Sequence, residues 1–178
     1  MMKLHRLRFS SKSLEKLAML DELTQIPNRR YIENSINLRF NEFLLNEIEF
    51  GIIFLDVDHF KEFNDHYGHD IGDLILKTVS KTFSNNLRSG DTIGRLGGDE
   101  FIGIFPEINK AELKKIAEKL KVLVEKTYIE LKDKKINVTI SVGATLINSN
   151  DTINSLIKRA DDFLYASKNK GRNCITTE

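Results

Sequence analysis

Between Arg29 and Leu45, apolar residues fall at Tyr31, Ile32, Ile36, Phe40, Phe43 and Leu44, a helical spacing that predicts one helix over this stretch. Pro27 disfavours helix at Ile26, so Asp21 to Arg30 reads as a turn leading into it. Phe50 to Val57 is an unbroken apolar run with β-branched residues, the mark of a buried strand. It ends in Asp56-Val57-Asp58, and strand alternation puts the two acids on one face. The polar, proline-free stretch Phe60 to Asp70 is assigned no element, and a helix follows from about Gly72 to Leu87 with Leu74, Ile75, Val79 and Phe83 inward. Asp91 to Leu96 and Glu100 to Phe105 flank Gly97-Gly98 and predict a hairpin whose turn accepts positive φ. Pro106 ends its second strand, and Asn109 caps a helix to about Leu131 through Leu113, Ile116, Ala117, Leu120, Leu123 and Val124. A strand Ile136 to Leu146, a helix Thr152 to Lys168 and a short strand around Asn173 to Thr176 complete the chain.

Ahead of these lies a segment, residues 1 to 20, where Leu14, Leu17, Ala18 and Met19 follow the potential cap Ser13; it reads as a connector helix leading into a domain over 21 to 178. The order β-α-β-β-α-β, then α-β, defines a two-layer α/β (α+β) domain of the ferredoxin-like, palm-like kind. A mostly antiparallel central sheet flanked by helices is expected.

Composition narrows the function. The 178 residues suffice for one domain with a real core. Lys and Arg (27) nearly balance Asp and Glu (26), so no global field recruits nucleic acid polymers or an anionic membrane, and phosphate binding must be local. The single Cys174 forbids an internal disulfide framework, and no stretch has the length of a membrane span or the pattern of a signal peptide. A cytoplasmic compartment without membrane insertion is expected.

Chemistry gathers at Gly94-Arg95-Leu96-Gly97-Gly98-Asp99-Glu100-Phe101. Gly97 and Gly98 place no side chain above the backbone, which lets a bulky anion approach while Asp99 and Glu100 hold a cation beside it. Asp56 at the end of the apolar strand and Asp99 at the hairpin tip become neighbours in a ferredoxin-like sheet, and the Val57 carbonyl adds a third oxygen. That donor set suits Mg²⁺, or Mn²⁺. Taken alone, Asp56 and Asp58 read as a strand end emerging into solvent, and the turn as a solvated hairpin. His59, His66 and His69 invite a zinc reading, but no cysteines and no second cluster complete four ligands.

The octet contains the five letters of the GGDEF family, the diguanylate cyclases, and resembles their signature turn. Asp21-Glu22-Leu23-Thr24-Gln25-Ile26-Pro27-Asn28-Arg29-Arg30 resembles the family's entry motif, with Gln25 and Ile26 where Gly and Leu are usual. Asp58 to Asp73 is similar to its second motif, and Ala160 to Asn173 to its closing one. The resemblance implies a palm-like nucleotidyl cyclase fold and a cyclase that condenses two GTP into cyclic di-GMP across a homodimer, under an upstream sensory domain. It implies Asp56, Val57 and Asp99 as metal holders, Glu100 as helper, and Asn64 and Asp73 as readers of guanine. One carboxylate such as Asp73 accepts together the paired N1–H and N2–H donors, which adenine lacks. Phe60, Gly97 and Gly98 border the same nucleotide; Lys61, Lys168 and Arg172 hold its triphosphate, and Asp99 is a candidate base for the attacking hydroxyl. Arg88-Ser89-Gly90-Asp91 matches an inhibitory site in which Arg88 and Asp91 grip product cyclic di-GMP. Arg95 either links the two sites or braces the hairpin. A catalytically silent binding module for GTP or cyclic di-GMP, and another nucleotidyl cyclase or polymerase-like palm, are the rival readings.

Overall fold

The computed structural model describes residues 19–132 and 134–178. The connector helix expected over residues 1 to 20 therefore lies outside the described residues, except Met19 and Leu20; Leu20 forms an isolated bridge to Pro27. Helix α1 spans Arg29–Asn46, capped by the Asn28 side chain on the Tyr31 N–H. Strand β1 (Phe50–Val57) is buried along its whole length, as its apolar run requires.

Two helices follow where one was expected. Phe60–Tyr67 forms α2, and after Gly68 at φ 87° the chain turns into α3 (His69–Ser84). Leu74, expected inward, is exposed, whereas Ile75, Leu76, Val79 and Phe83 are buried. The hairpin strands are β2 (Thr92–Gly97) and β3 (Glu100–Pro106), and α4 spans Lys110–Lys126 behind a reciprocal Asn109–Glu112 capping box. Instead of continuing to Leu131, the chain pairs β4 (Tyr128–Leu131) with β5 (Lys134–Asn137) in a separate ribbon. The strand expected from Ile136 to Leu146 is thereby split, its main part being β6 (Ile140–Leu146). Helix α5 (Ile153–Asn169) and β7 (Ile175–Thr177) close the fold.

The main sheet runs β2-β3-β1-β6-β7, antiparallel except for the parallel β6–β7 pair. Strand alternation splits the core into two layers. Ile53, Leu55 and Val57 meet α3 and α4 through Val79, Phe83, Ala117 and Leu120. Phe50, Ile52 and Phe54 meet α1 and α5 through Ile32, Ile36, Leu156 and Leu164. Asp56 shares the parity of that second set, so the sheet carries its carboxylate toward α5. Among the described residues, no helix is long and apolar enough to cross a membrane.

Candidate active site

The central strand delivers Asp56 to the turn of the hairpin. In the β1–β3 register Asp56 lies opposite Glu100, and the Val57 N–H donates to the Asp99 carbonyl at 3.3 Å. That turn is possible because Gly97 and Gly98 take φ values of 148° and 54°, and a Cβ on either would meet open space. Asp56 is only 6% exposed. Lys168 reaches it from the last turn of α5, its Nζ 2.8 Å from Oδ2.

Burial, joined by the negative charges of Asp99 and Glu100, pushes the Asp56 carboxyl up to about 6 despite the hydrogen bond from Lys168. One ammonium therefore serves a surplus of acid, a charge imbalance that a divalent cation relieves. Among the described residues, no three acidic or imidazole side chains close into a ready cage. Two carboxylates and a carbonyl nevertheless suit Mg²⁺ or Mn²⁺, whose other ligands come from water and phosphate oxygens.

Asn64 of α2 packs against α3 at Gly72, where any Cβ would collide with the Asn64 Oδ1. That oxygen is buried without a hydrogen-bond partner. Asp73, next to Gly72 on α3, is exposed. Phe60 flanks the same contact, its ring 3.3 Å from where the Gly72 Cβ would stand. Lys61 is exposed in the first turn of α2, and Arg172 is exposed beyond α5 with φ 63°.

Arg88 and Asp91 lie at the far end of β2, about 20 Å from the Gly-Gly turn by strand rise. The Arg88 Nε donates to Asp91 Oδ1 at 3.0 Å and its Nη2 to the Pro106 carbonyl at 2.5 Å. They border a recess of about 470 Å³ with Pro27, Tyr31 and Leu87. Tyr31, one of the apolar positions of the α1 pattern, opens onto this recess and is 38% exposed.

Arg95 braces the hairpin. Its Nη1 pairs with Asp21 at 3.0 Å, its Nε donates to the Gly98 carbonyl at 2.8 Å, and the Arg29 Nε donates to the Leu96 carbonyl. These contacts from the entry turn were not legible beforehand, because only the fold brings Asp21 to Arg95. Asp58 was noted only as the neighbour of Asp56; its carboxylate is instead buried among donors from β6 and the closing loop.

A five-stranded, mostly antiparallel sheet flanked by helices, with paired acids at its central strand and hairpin tip, has the palm-like architecture. A family profile described as "Diguanylate cyclase, GGDEF domain" matches residues 18–174, and the chain belongs to that family. It is 36% identical over 157 residues to Diguanylate cyclase DosC of Escherichia coli (strain K12), covering 88% of this chain and 34% of that protein. It is likewise 36% identical over 166 residues to Response regulator PleD of Caulobacter vibrioides (strain NA1000 / CB15N), covering 92% of this chain and 36% of PleD. The chain thus spans about a third of the length of these two relatives. The coiled coil and GGDEF domain of DgcB from Caulobacter crescentus, solved in complex with c-di-GMP, superposes with TM-score 0.93 at 28% identity. That match covers 99% of this chain and 94% of the DgcB chain.

Proposed function

We propose that residues 21 to 178 are a diguanylate cyclase domain that condenses two GTP into cyclic di-GMP with release of two pyrophosphates, and that residues 1 to 20 connect it to an upstream sensory domain. The observation that carries this reading is buried Asp56, held between Lys168 and the acids of a Gly-Gly turn that is open to a ligand. In each step the 3′-hydroxyl of one GTP attacks the α-phosphorus of the other. A P–O bond forms, the bond to the β-phosphate bridge breaks, pyrophosphate leaves, and Asp99 takes the hydroxyl proton. Two such steps close the ring.

Asp56, the Val57 carbonyl and Asp99 hold Mg²⁺ or Mn²⁺, with Glu100 as helper; when bound, the ion polarises the phosphate oxygens. Lys61, Lys168 and Arg172 hold the triphosphate, with Lys168 shared between it and Asp56. Asp73 accepts the paired guanine donors and the Asn64 amide reads another edge of the base; Phe60, Gly97 and Gly98 border the nucleotide. One domain holding one GTP presents no second hydroxyl, so two domains face each other in a homodimer. Product cyclic di-GMP binds at Arg88 and Asp91 and limits the rate; that DgcB was solved in complex with c-di-GMP supports the choice of ligand. GTP and Mg²⁺ place this activity in the cytoplasm.

The test is GTP turnover with Mg²⁺, products separated by chromatography, for the native protein and Asp99→Asn. Cyclic di-GMP from the native chain and a loss of about a hundredfold or more in the variant, with unchanged melting, are expected. GTP binding without product from the native chain would establish the silent module instead.

A further inference from the structure

The geometry points to Asp58 as the residue that positions the closing loop, and through it Arg172, against the triphosphate; this rests on the reading of Arg172 as a phosphate ligand. Asp58 follows β1 and is 5% exposed, yet its carboxylate does not open onto the acid cluster. Oδ1 accepts from the Ser141 hydroxyl at 2.6 Å. Oδ2 accepts from the Thr139 hydroxyl at 2.6 Å and from the backbone N–H of Asn173 at 3.0 Å. Hydrogen bonds from Ser141 of β6 and from Thr139 just before it fix the carboxylate, and the carboxylate fixes the loop. Three donors of the protein itself already occupy it, so its role is carried by what it holds.

The loop needs holding. Gly171, Arg172 and Asn173 take φ values of 107°, 63° and 45°, so two consecutive residues with side chains stand in the left-handed region. A residue with a Cβ is disfavoured there, Arg more than Asn, and persists only where its surroundings fix it. Asn173 is fixed from two sides. Its N–H is taken by Asp58, while its side-chain Oδ1 accepts from Lys121 Nζ at 3.0 Å and its Nδ2 donates to Glu125 Oε1 at 3.1 Å. Lys121 also pairs with Glu125 at 3.2 Å, so α4 presents a prepared socket. Arg172 sits between Gly171 and this doubly held residue and is itself exposed. Its reach toward the acid cluster is therefore set by backbone geometry that Asp58 and the α4 socket impose. The same carboxylate ties the loop to the strand end two residues from Asp56, so phosphate clamp and metal acids share one rigid origin.

The experiment measures affinity for a GTP analogue with a methylene between the α- and β-phosphates, which cannot release pyrophosphate, and for GMP. The proteins are native, Asp58→Asn, Arg172→Ala and the double variant, each with its melting temperature. Asp58→Asn keeps the shape but weakens the acceptor facing the Asn173 N–H. The expected result is a loss of about tenfold for the triphosphate analogue in Asp58→Asn, with GMP affinity changed less than twofold. In the Arg172→Ala background the same substitution is expected to add almost nothing, since its effect passes through Arg172. Asn173→Ala, which cuts both ties to α4, serves where Asp58→Asn fails to fold, and is expected to show the same selective loss. An equal loss for GMP and the triphosphate analogue, or an undiminished loss in the Arg172→Ala background, overturns the inference while leaving the clamp standing. No loss from Arg172→Ala alone overturns the clamp and, with it, the inference.

Discussion

Asp56 and Gly72 show how single residues tune the site. Because the folded-state carboxyl of Asp56 is pushed up to about 6 from 3.8, the folded protein binds a proton that the unfolded chain has already released between those values. Its sign is opposite to that of an ordinary salt-bridged acid: the penalty is absent below about pH 4, grows as pH rises to 6, and is full above. Removing Asp56 removes this slope. Denaturant titrations of the metal-free protein should therefore show the stability of Asp56→Asn improving relative to native by on the order of 2–3 kcal/mol between pH 4 and 7. A flat difference would mean that Asp56 ionises at its ordinary pH. Gly72 poses a different test. Alanine favours a helix interior over glycine by about 1 kcal/mol, yet its Cβ would displace the Asn64 amide. Gly72→Ala should thus hold or raise the melting temperature while raising the GTP KM about tenfold, and unchanged kinetics would overturn the proposed guanine contact of Asn64.

At the scale of elements, the hairpin is held from outside its own sequence. Arg95 joins it to the entry turn through Asp21, whose carboxyl stays below its ordinary range: burial alone would raise it, and hydrogen bonds from Thr24 and Arg95 outweigh that. Asp21→Ala leaves the partly buried guanidinium without its acid, so stability should fall by about 1–3 kcal/mol in denaturant melts. The cyclase rate should drop further than the folded fraction accounts for, because the turn that carries Asp99 loosens; a rate that merely tracks the folded fraction would show the turn to be self-supporting. The same dependence explains what could be read beforehand. Strand β1, the hairpin and α5 were legible because apolar runs, glycines and caps encode them locally. Helix α2 was not, since it is only eight residues long and begins after His59 at φ 57° with no side-chain cap. The overrun of α4 to Leu131 has a similar cause: apolar Ile129 and Leu131 continue the pattern, and their pairing with β5 is a tertiary fact. The acids of the turn announced themselves, whereas Asp58 is defined by Ser141 and Asn173, 83 and 115 positions away.

For the whole molecule, the proposed reaction has a decisive consequence: one domain holding one GTP is chemically incomplete. Lys168 pairs with Asp56 beside the hairpin acids; on the proposed reading these groups serve one α-phosphate, and the attacking hydroxyl arrives on a nucleotide that another copy holds. Each bond of the cyclic product then depends on the acids of a different domain. A dimer of native and Asp99→Asn chains would form the first bond at its native half and never the second, leaving a linear guanosine dinucleotide. At concentrations where the native rate per chain has reached its plateau, adding an equal amount of Asp99→Asn leaves native chains paired with themselves half as often. Cyclic di-GMP production should fall to about half and the linear product should accumulate, both read on one chromatogram. An unchanged cyclic rate, with no linear species at any mixing ratio, would mean that one chain completes both bonds, and the facing-domain arrangement would have to be abandoned.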